Sequence, residues 1–297
     1  MTTIWITGCA GFLGSRLARV LRHEGCKVIG LSRRLCPVAH QSVSIDLSSE
    51  EAPALLGDLL RHEPPDVVIH AAARQPGQYP LADYVRSNVA TTAVLMDALH
   101  QAPPKQLIYI SSLNVYRQPA TLPVDESGLT EGDSPYAVTK LAAERLVEAA
   151  QSWTHVLTFR LPSLYGAGQA DSFIDGLMRL VRENKAVELF SSGRLVRDAL
   201  HVEDVVGTIV TAVRRPPSDR FACFNLGCGK PITTSEYAEV LVRVTNSTSP
   251  VIPVDRPSLQ RFDLYADISK ARRELGFSPT PVLSSLQRYV DELRTPA

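Results

Sequence analysis

Short runs of β-branched and other apolar residues alternate with longer amphipathic stretches through the first half of the chain. Ile4–Thr7, Val28–Ser32, Val43–Ile45, Val67–His70, Leu107–Ile110 and Val156–Phe159 read as strands, bounded by polar or glycine-containing segments. Between them, apolar residues recur at helical spacing. Alternation of this kind calls for parallel neighbours joined by crossover helices, so the pattern predicts a doubly wound α/β sheet covered on both faces.

After Arg160 the rhythm changes to loops rich in Gly and Ser, with helical patterns near Ser172–Arg182, Glu203–Arg214, Ser235–Thr245 and Leu283–Leu293. Pro103-Pro104, Pro216-Pro217 and the stretch from Pro250 to Pro257 punctuate connections. The division expected is 1–160 for a nucleotide-binding domain and 161–297 for a smaller C-terminal α/β lobe that binds substrate. A segment near 199–226 is expected to return to the first sheet.

Composition narrows the classes of function. The 297 residues are 44% hydrophobic, enough for a substantial core, and 31 basic residues balance 31 acidic ones. No overall field draws in nucleic acid or an anionic membrane surface, so neither is an expected partner. The longest apolar stretches, such as Val205 to Val213, are far shorter than the roughly 20 residues of a membrane-spanning helix. The first residues lead straight into a strand with no secretory pattern, which reads as cytoplasmic. Five scattered cysteines fit reduced thiols, and without a C-x-x-C pair no metal site is expected.

The first strand runs into TGCAGFLG, which sets Gly8, Gly11 and Gly14 ahead of a helix through Leu17, Ala18 and Leu21. A first glycine permits a tight strand-to-helix turn, and a second lets backbone N–H groups approach a pyrophosphate. A third lets the helix pack closely on the sheet. Gly8, Gly11, Phe12, Leu13 and Gly14 are therefore expected to bind a dinucleotide in a Rossmann-type domain.

The second strand ends Gly30-Leu31-Ser32-Arg33-Arg34 and offers no carboxylate to a ribose hydroxyl. Two guanidinium groups and a hydroxyl suit a 2′-phosphate, so Ser32, Arg33 and Arg34 predict NADP(H) in preference to NAD(H).

Strand five leads into SSLNVY from Ser111, and SPYAVTK then places Tyr136 and Lys140 four residues apart at a helix start, on one face. A phenol near its reference pKa of about 10 is a poor base at neutral pH, so the Lys140 ammonium is expected to favour the phenolate. Tyr136 would exchange a proton while hydride moves to or from a nicotinamide.

Together the T-G-x-x-G-x-x-G turn, the Ser-Ser strand end and the Tyr-x-x-x-Lys pair resemble the extended short-chain dehydrogenase/reductases. RLPSLYGAGQ from Arg160, RDALHVEDV from Arg197, FNLG from Phe224 and DISKARRELGF from Asp267 extend the likeness to the nucleotide-sugar epimerase and reductase branch, the NAD-dependent epimerase/dehydratase family. The resemblance implies Ser112 as the catalytic hydroxyl beside Tyr136 and Lys140. It also implies cofactor contacts from Asp46, Leu47, Ala71, Ala72, Ala73 and Asn88, with a helix cap as the alternative role of Asp46.

For a nucleotide-diphosphate sugar, the resemblance implies contacts from Ser111, Ser112, Ser163, Arg197 and Arg256. Two departures lie near the sugar: Ser163 stands where many such enzymes carry Asn, and Arg117 follows Tyr116 in place of Gly. Dehydratases of this branch carry Asp-Glu after the catalytic hydroxyl. Leu113-Asn114 occupies those positions here and cannot supply that acid and base. The expected activity is an NAD(P)-dependent epimerase acting at a hydroxyl or keto carbon, C4 by preference. An NADPH-dependent 4-ketoreductase is the alternative, and a non-catalytic dinucleotide sensor a third reading. The resemblance further implies a homodimer through the helices at Ala82–His100 and Tyr136–Ala150.

Overall fold

The computed structural model describes residues 1–119, 121–170, 172–258 and 262–294. The strands are β1 (Thr3–Thr7), β2 (Lys27–Ser32), β3 (Gln41–Ser44), β4 (Val67–His70), β5 (Gln106–Ser112), β6 (His155–Leu161), β7 (Ser163–Tyr165), β8 (Val187–Leu189), β9 (Ala199–His201), β10 (Phe221–Asn225) and β11 (Val251–Pro253). The helices are α1 (Phe12–His23), α2 (Ala52–His62), α3 (Leu81–Tyr84), α4 (Thr91–Gln101), α5 (Pro135–Ala149), α6 (Phe173–Arg182), α7 (Val202–Arg214), α8 (Thr234–Thr245), α9 (Ser269–Leu275) and α10 (Val282–Arg294).

Seven strands form one sheet in the order β10-β6-β5-β4-β1-β2-β3, with the β1–β2, β1–β4, β2–β3 and β4–β5 pairs all parallel. Strand order reverses at β1, where β2 and β3 lead one way and β4 and β5 the other. Such a switch point leaves the carboxyl ends of neighbouring strands open to a ligand. The register aligns those ends, since Thr7 pairs with both Leu31 and His70, and His70 with Tyr109. The doubly wound reading of the sequence is the architecture found.

The chain divides into two compact units, one of residues 1–117, 129–160 and 206–224, the other of residues 118–128, 161–205 and 225–297. Residues 118–128 thus depart from the sequence division, which kept them in the first domain. Their backbone explains why: Val124 N–H donates to Tyr265 O at 3.0 Å, and Val124 O accepts from Asp267 N–H at 2.8 Å. In the first unit, Trp5, Ile29, Leu56, Val68, Leu95, Leu107 and Val147 form a core under one face of the sheet, and Trp5 Nε1–H reaches Glu63 O. In the second, α6, α8 and α10 contribute Ile174, Tyr237, Leu241 and Leu286 to a separate core. Burial of such side chains contributes about 25 cal/mol per Å² of apolar area and holds each set of helices in place.

Candidate active site

The glycine turn is tight in measurable ways. Gly8 has φ +68°, and a β-carbon there would meet the Ala72 backbone at 2.9 Å. At Gly14 it would stand 2.3 Å from Gly8 O, so only glycine lets α1 start this close to the turn. Gly11 is the N-cap of α1, with no side-chain cap and no acidic residue in the first turn. The first N–H groups of a helix have no intrahelical acceptor, and here no carboxylate competes for them. This donor set, against the Ala71–Ala72 backbone, fits the pyrophosphate of a dinucleotide; Phe12, Leu13 and Gly14 carry the N–H groups that would hold it.

Around the turn, Ser32 Oγ accepts from Ala10 N–H at 3.3 Å and donates to Arg34 O at 2.6 Å. Arg33 and Arg34 are exposed. Asp46 accepts from both the N–H and the hydroxyl of Ser48, which, with the charges of Arg33 and Arg86, holds its carboxyl below the usual range. Its side chain closes a local turn on Ser48 and does not cap the following helix, because Glu51 is the N-cap of α2 and no side chain caps that helix; Leu47 is buried.

A directed hydrogen-bond chain runs behind these strand ends. Ala72 N–H donates to the Thr7 hydroxyl at 3.1 Å, which lies 2.7 Å from His70 Nδ1; His70 Nε2 lies 2.9 Å from the Thr92 hydroxyl. The Thr92 hydroxyl donates to Asn88 O at 2.6 Å. Its single proton being spent, it accepts from Nε2–H, so His70 is the Nε2–H tautomer and takes the Thr7 proton on Nδ1. Burial first, and the charge of Lys140 second, push His70 down to about 3, keeping it neutral. His70 is a structural relay, as its strand position suggested.

Asn88 sits in a π-helical turn, Val85–Ala90, that interrupts the expected helix between α3 and α4. The extra residue per turn directs it inward. Its Oδ1 accepts from Arg74 N–H at 2.7 Å and its Nδ2–H donates to Thr139 Oγ1 at 3.0 Å. The amide that the resemblance assigns to the cofactor joins the segment after β4 to α5.

Ser134 caps α5, accepting from Ala137 N–H at 3.2 Å, and Pro135 supplies a first helical residue with preset φ. This fixes Tyr136 in the first turn and Lys140 one turn on. The Tyr136 hydroxyl is hydrogen-bonded to Ser112, whose Oγ also accepts from Asn114 N–H at 3.2 Å. The three expected catalytic side chains thus gather at the β5 end, Lys140 Nζ donating to Ile110 O and lying 4.2 Å from the Tyr109 ring centroid. Burial pushes Tyr136 up to about 12 against the opposing Ser112 hydrogen bond. Burial thus favours the protonated phenol, opposite in direction to the effect expected of the Lys140 ammonium. Lys140 is pushed down to about 7 by burial, with Glu144 opposing.

Ser111 also departs from expectation, because it is buried and donates its hydroxyl to Glu144, inside the fold rather than toward a sugar. Glu144 pairs with Arg160, whose Nη1–H donates to the Tyr116 hydroxyl at 2.8 Å. The sequence reading gave Glu144 no role; its spacing of four from Lys140 was the available signal.

Ser163, Arg197 and Arg256 belong to the second unit. Ser163 is the exposed first residue of β7, paired with Ala199. The Arg197 guanidinium lies 4.5 Å from the Phe173 ring centroid, and burial lowers its pKa. Arg256 is exposed, and its carbonyl accepts from Ser191 N–H at 2.7 Å. Among the described residues no cluster of three His, Cys, Asp or Glu could hold a metal, and no helix is long and apolar enough to cross a membrane.

Comparison with known proteins agrees with this geometry. The chain is 27% identical over 322 residues to UDP-glucuronate 4-epimerase 3 of Arabidopsis thaliana, covering 95% of this chain and 74% of that one. It is 27% identical over 299 residues to UDP-glucose 4-epimerase of Streptomyces lividans, covering 93% and 91%. Among solved structures, MoeE5 in complex with UDP-glucose and NAD superposes with a TM-score of 0.86 at 31% identity, covering 98% of both chains. UDP-glucuronic acid 4-epimerase from Bacillus cereus, in complex with UDP-glucuronic acid and NAD, gives 0.86 at 25% identity over 99% of both. Residues 4–227 match the NAD dependent epimerase/dehydratase family, and the chain is an enzyme of that family.

Proposed function

We propose that the protein interconverts UDP-sugars epimeric at C4, holding one nicotinamide dinucleotide through repeated turnovers. The observation that carries this is the Ser112–Tyr136–Lys140 group at the carboxyl end of β5, beside a glycine turn built for a pyrophosphate. A nicotinamide dinucleotide, when bound, supplies hydride acceptance and return and, in its oxidised state, a positive charge.

The chain's own residues handle the proton. The Ser112 hydroxyl orients the sugar O4 toward Tyr136. The Tyr136 oxygen takes the O4 proton as the C4–H bond breaks and gives it back when C4 is reduced from the other face. Its raised pKa makes the phenol the resting form, ready to donate; acceptance is aided by positive charge, from the Lys140 ammonium and from the oxidised nicotinamide ring. Arg197 and Arg256 are the proposed partners of the diphosphate and Ser163 of the sugar.

At the end of β2, Ser32 and the exposed Arg33 and Arg34 support NADP(H) over NAD(H), although the two solved structures named above are complexes with NAD. The same residues favour a second reading, an NADPH-dependent 4-ketoreductase. Exposed Leu81, Val85, Val138 and Leu146, on or beside α3 and α5, support a homodimer. Incubation with UDP-glucose or UDP-glucuronic acid, followed by NMR, tests the function. Appearance of the C4 epimer without net change in dinucleotide redox state is the expected result. Stoichiometric NADPH loss on a 4-keto sugar, with no epimerisation, favours the reductase.

A further inference from the structure

Cys9 lies inside the phosphate turn and Cys36 in the loop after β2, 27 residues apart. Both thiols are free and buried, and their sulfurs stand 2.8 Å apart. That is less than an ångström longer than a disulfide bond of about 2.04 Å. The pairing is built in from several sides. Cys36 Sγ–H also reaches Cys9 O at 3.2 Å, and Cys36 N–H donates to Ser42 Oγ at 2.8 Å, fixing the loop. Gly30 on β2 leaves the room: a β-carbon there would stand 2.6 Å from Cys9 Sγ.

We propose that Cys9 and Cys36 form a reversible disulfide, a modification site that couples thiol redox state to dinucleotide affinity. The coupling rests on the dinucleotide reading of the turn; the cross-link does not. With a peroxide as oxidant, the Cys36 sulfur attacks the O–O bond, giving a sulfenic acid and one water. Cys9 sulfur then attacks the sulfenic sulfur and expels a second water. Two thiols lose two electrons and two protons, and one peroxide becomes two waters. Burial raises the Cys9 thiol well above its usual value, so Cys9 is the resolving partner rather than the first nucleophile.

Closure affects the turn because Cys9 has little room to move. A β-carbon on Gly14 would lie 2.9 Å from Cys9 Cα, so the Cys9 backbone abuts the start of α1. Drawing Cys9 toward β2 shifts the N–H groups that would face the pyrophosphate, and oxidation removes the S–H donor to Cys9 O. The oxidised protein is expected to bind dinucleotide more weakly by at least about fivefold, the low end of coupling between linked sites.

The test treats the protein with hydrogen peroxide in the absence of dinucleotide, then maps peptides without reduction and titrates NAD(H) and NADP(H) before and after. A Cys9–Cys36 cross-linked peptide that dithiothreitol reverses, with weakened affinity that reduction restores, is the expected result. Cys36→Ser should keep its affinity through the treatment. Oxidation of Cys26, Cys223 or Cys228 while Cys9 and Cys36 remain thiols overturns the site. A cross-link with unchanged affinity overturns the coupling. Reduced protein that binds neither dinucleotide overturns the reading of the turn, and with it the coupling, while the peptide map still decides the cross-link.

Discussion

Arg160 closes a two-point ion pair on Glu144, Nε to Oε1 at 3.1 Å and Nη2 to Oε2 at 2.9 Å, with both side chains buried. Glu144 stands one helical turn beyond Lys140 and is the group that opposes the lowering of its pKa. The pair therefore does two things. It neutralises a buried guanidinium, and it keeps charge available on the proposed catalytic lysine.

Glu144→Gln separates those effects. Leaving the Arg160 charge buried without its partner should cost about 3–5 kcal/mol of stability, read by denaturant unfolding. In folded protein, Lys140 should lose its proton at a pH below the wild-type value of about 7, because the group that raises it is gone. The alkaline fall of kcat/KM, which reports the free enzyme, should move to lower pH in the variant. An unmoved profile would show that Glu144 does not set the charge on Lys140.

His70 gives a pH dependence of stability. Its folded pKa of about 3 lies below the ordinary 6.5, so between those values the unfolded chain binds a proton that the folded chain refuses. Its contribution is complete above 6.5 and is lost as pH falls toward 3. His70→Gln retains a donor and an acceptor but cannot be protonated. Thermal unfolding across that window should show a flatter acid limb for the variant than for wild type, and parallel limbs would contradict the neutral relay.

Dinucleotide choice is tested at Ser32. Ser32→Asp places a carboxylate where a 2′-phosphate is proposed to sit, and should shift the ratio of affinities from NADP(H) toward NAD(H) by tenfold or more, about 1.4 kcal/mol. Wild-type protein that already binds NAD at least as tightly as NADP would refute the preference.

Much of this was legible in the residues. β4 matches its predicted bounds because the β-branched run Val67-Val68-Ile69 follows Asp66 and leads into His70, and α5 begins where Ser134 and Pro135 say it should. Other features leave no local mark. The π-helical turn around Asn88 keeps an ordinary helical composition, so its inward register depends on packing. Ser111 and Ser112 are adjacent and chemically identical, yet one hydroxyl meets Glu144 and the other Tyr136. The Cys9 and Cys36 contact depends on how the loop after β2 returns, which spacing alone does not encode. The Tyr136 shift follows from burial that a helical pattern cannot quantify.

The proton-transfer role of Tyr136 is the centre of the account, and Tyr136→Phe tests it most directly. The variant removes one oxygen from a buried ring and leaves the glycine turn untouched. Measured together, dinucleotide affinity should stay at the wild-type value while epimerisation of the UDP-sugar falls by a hundredfold or more, the scale of about 10²–10⁴ for a positioned general acid–base. Turnover equal to wild type with affinity intact would contradict the assignment.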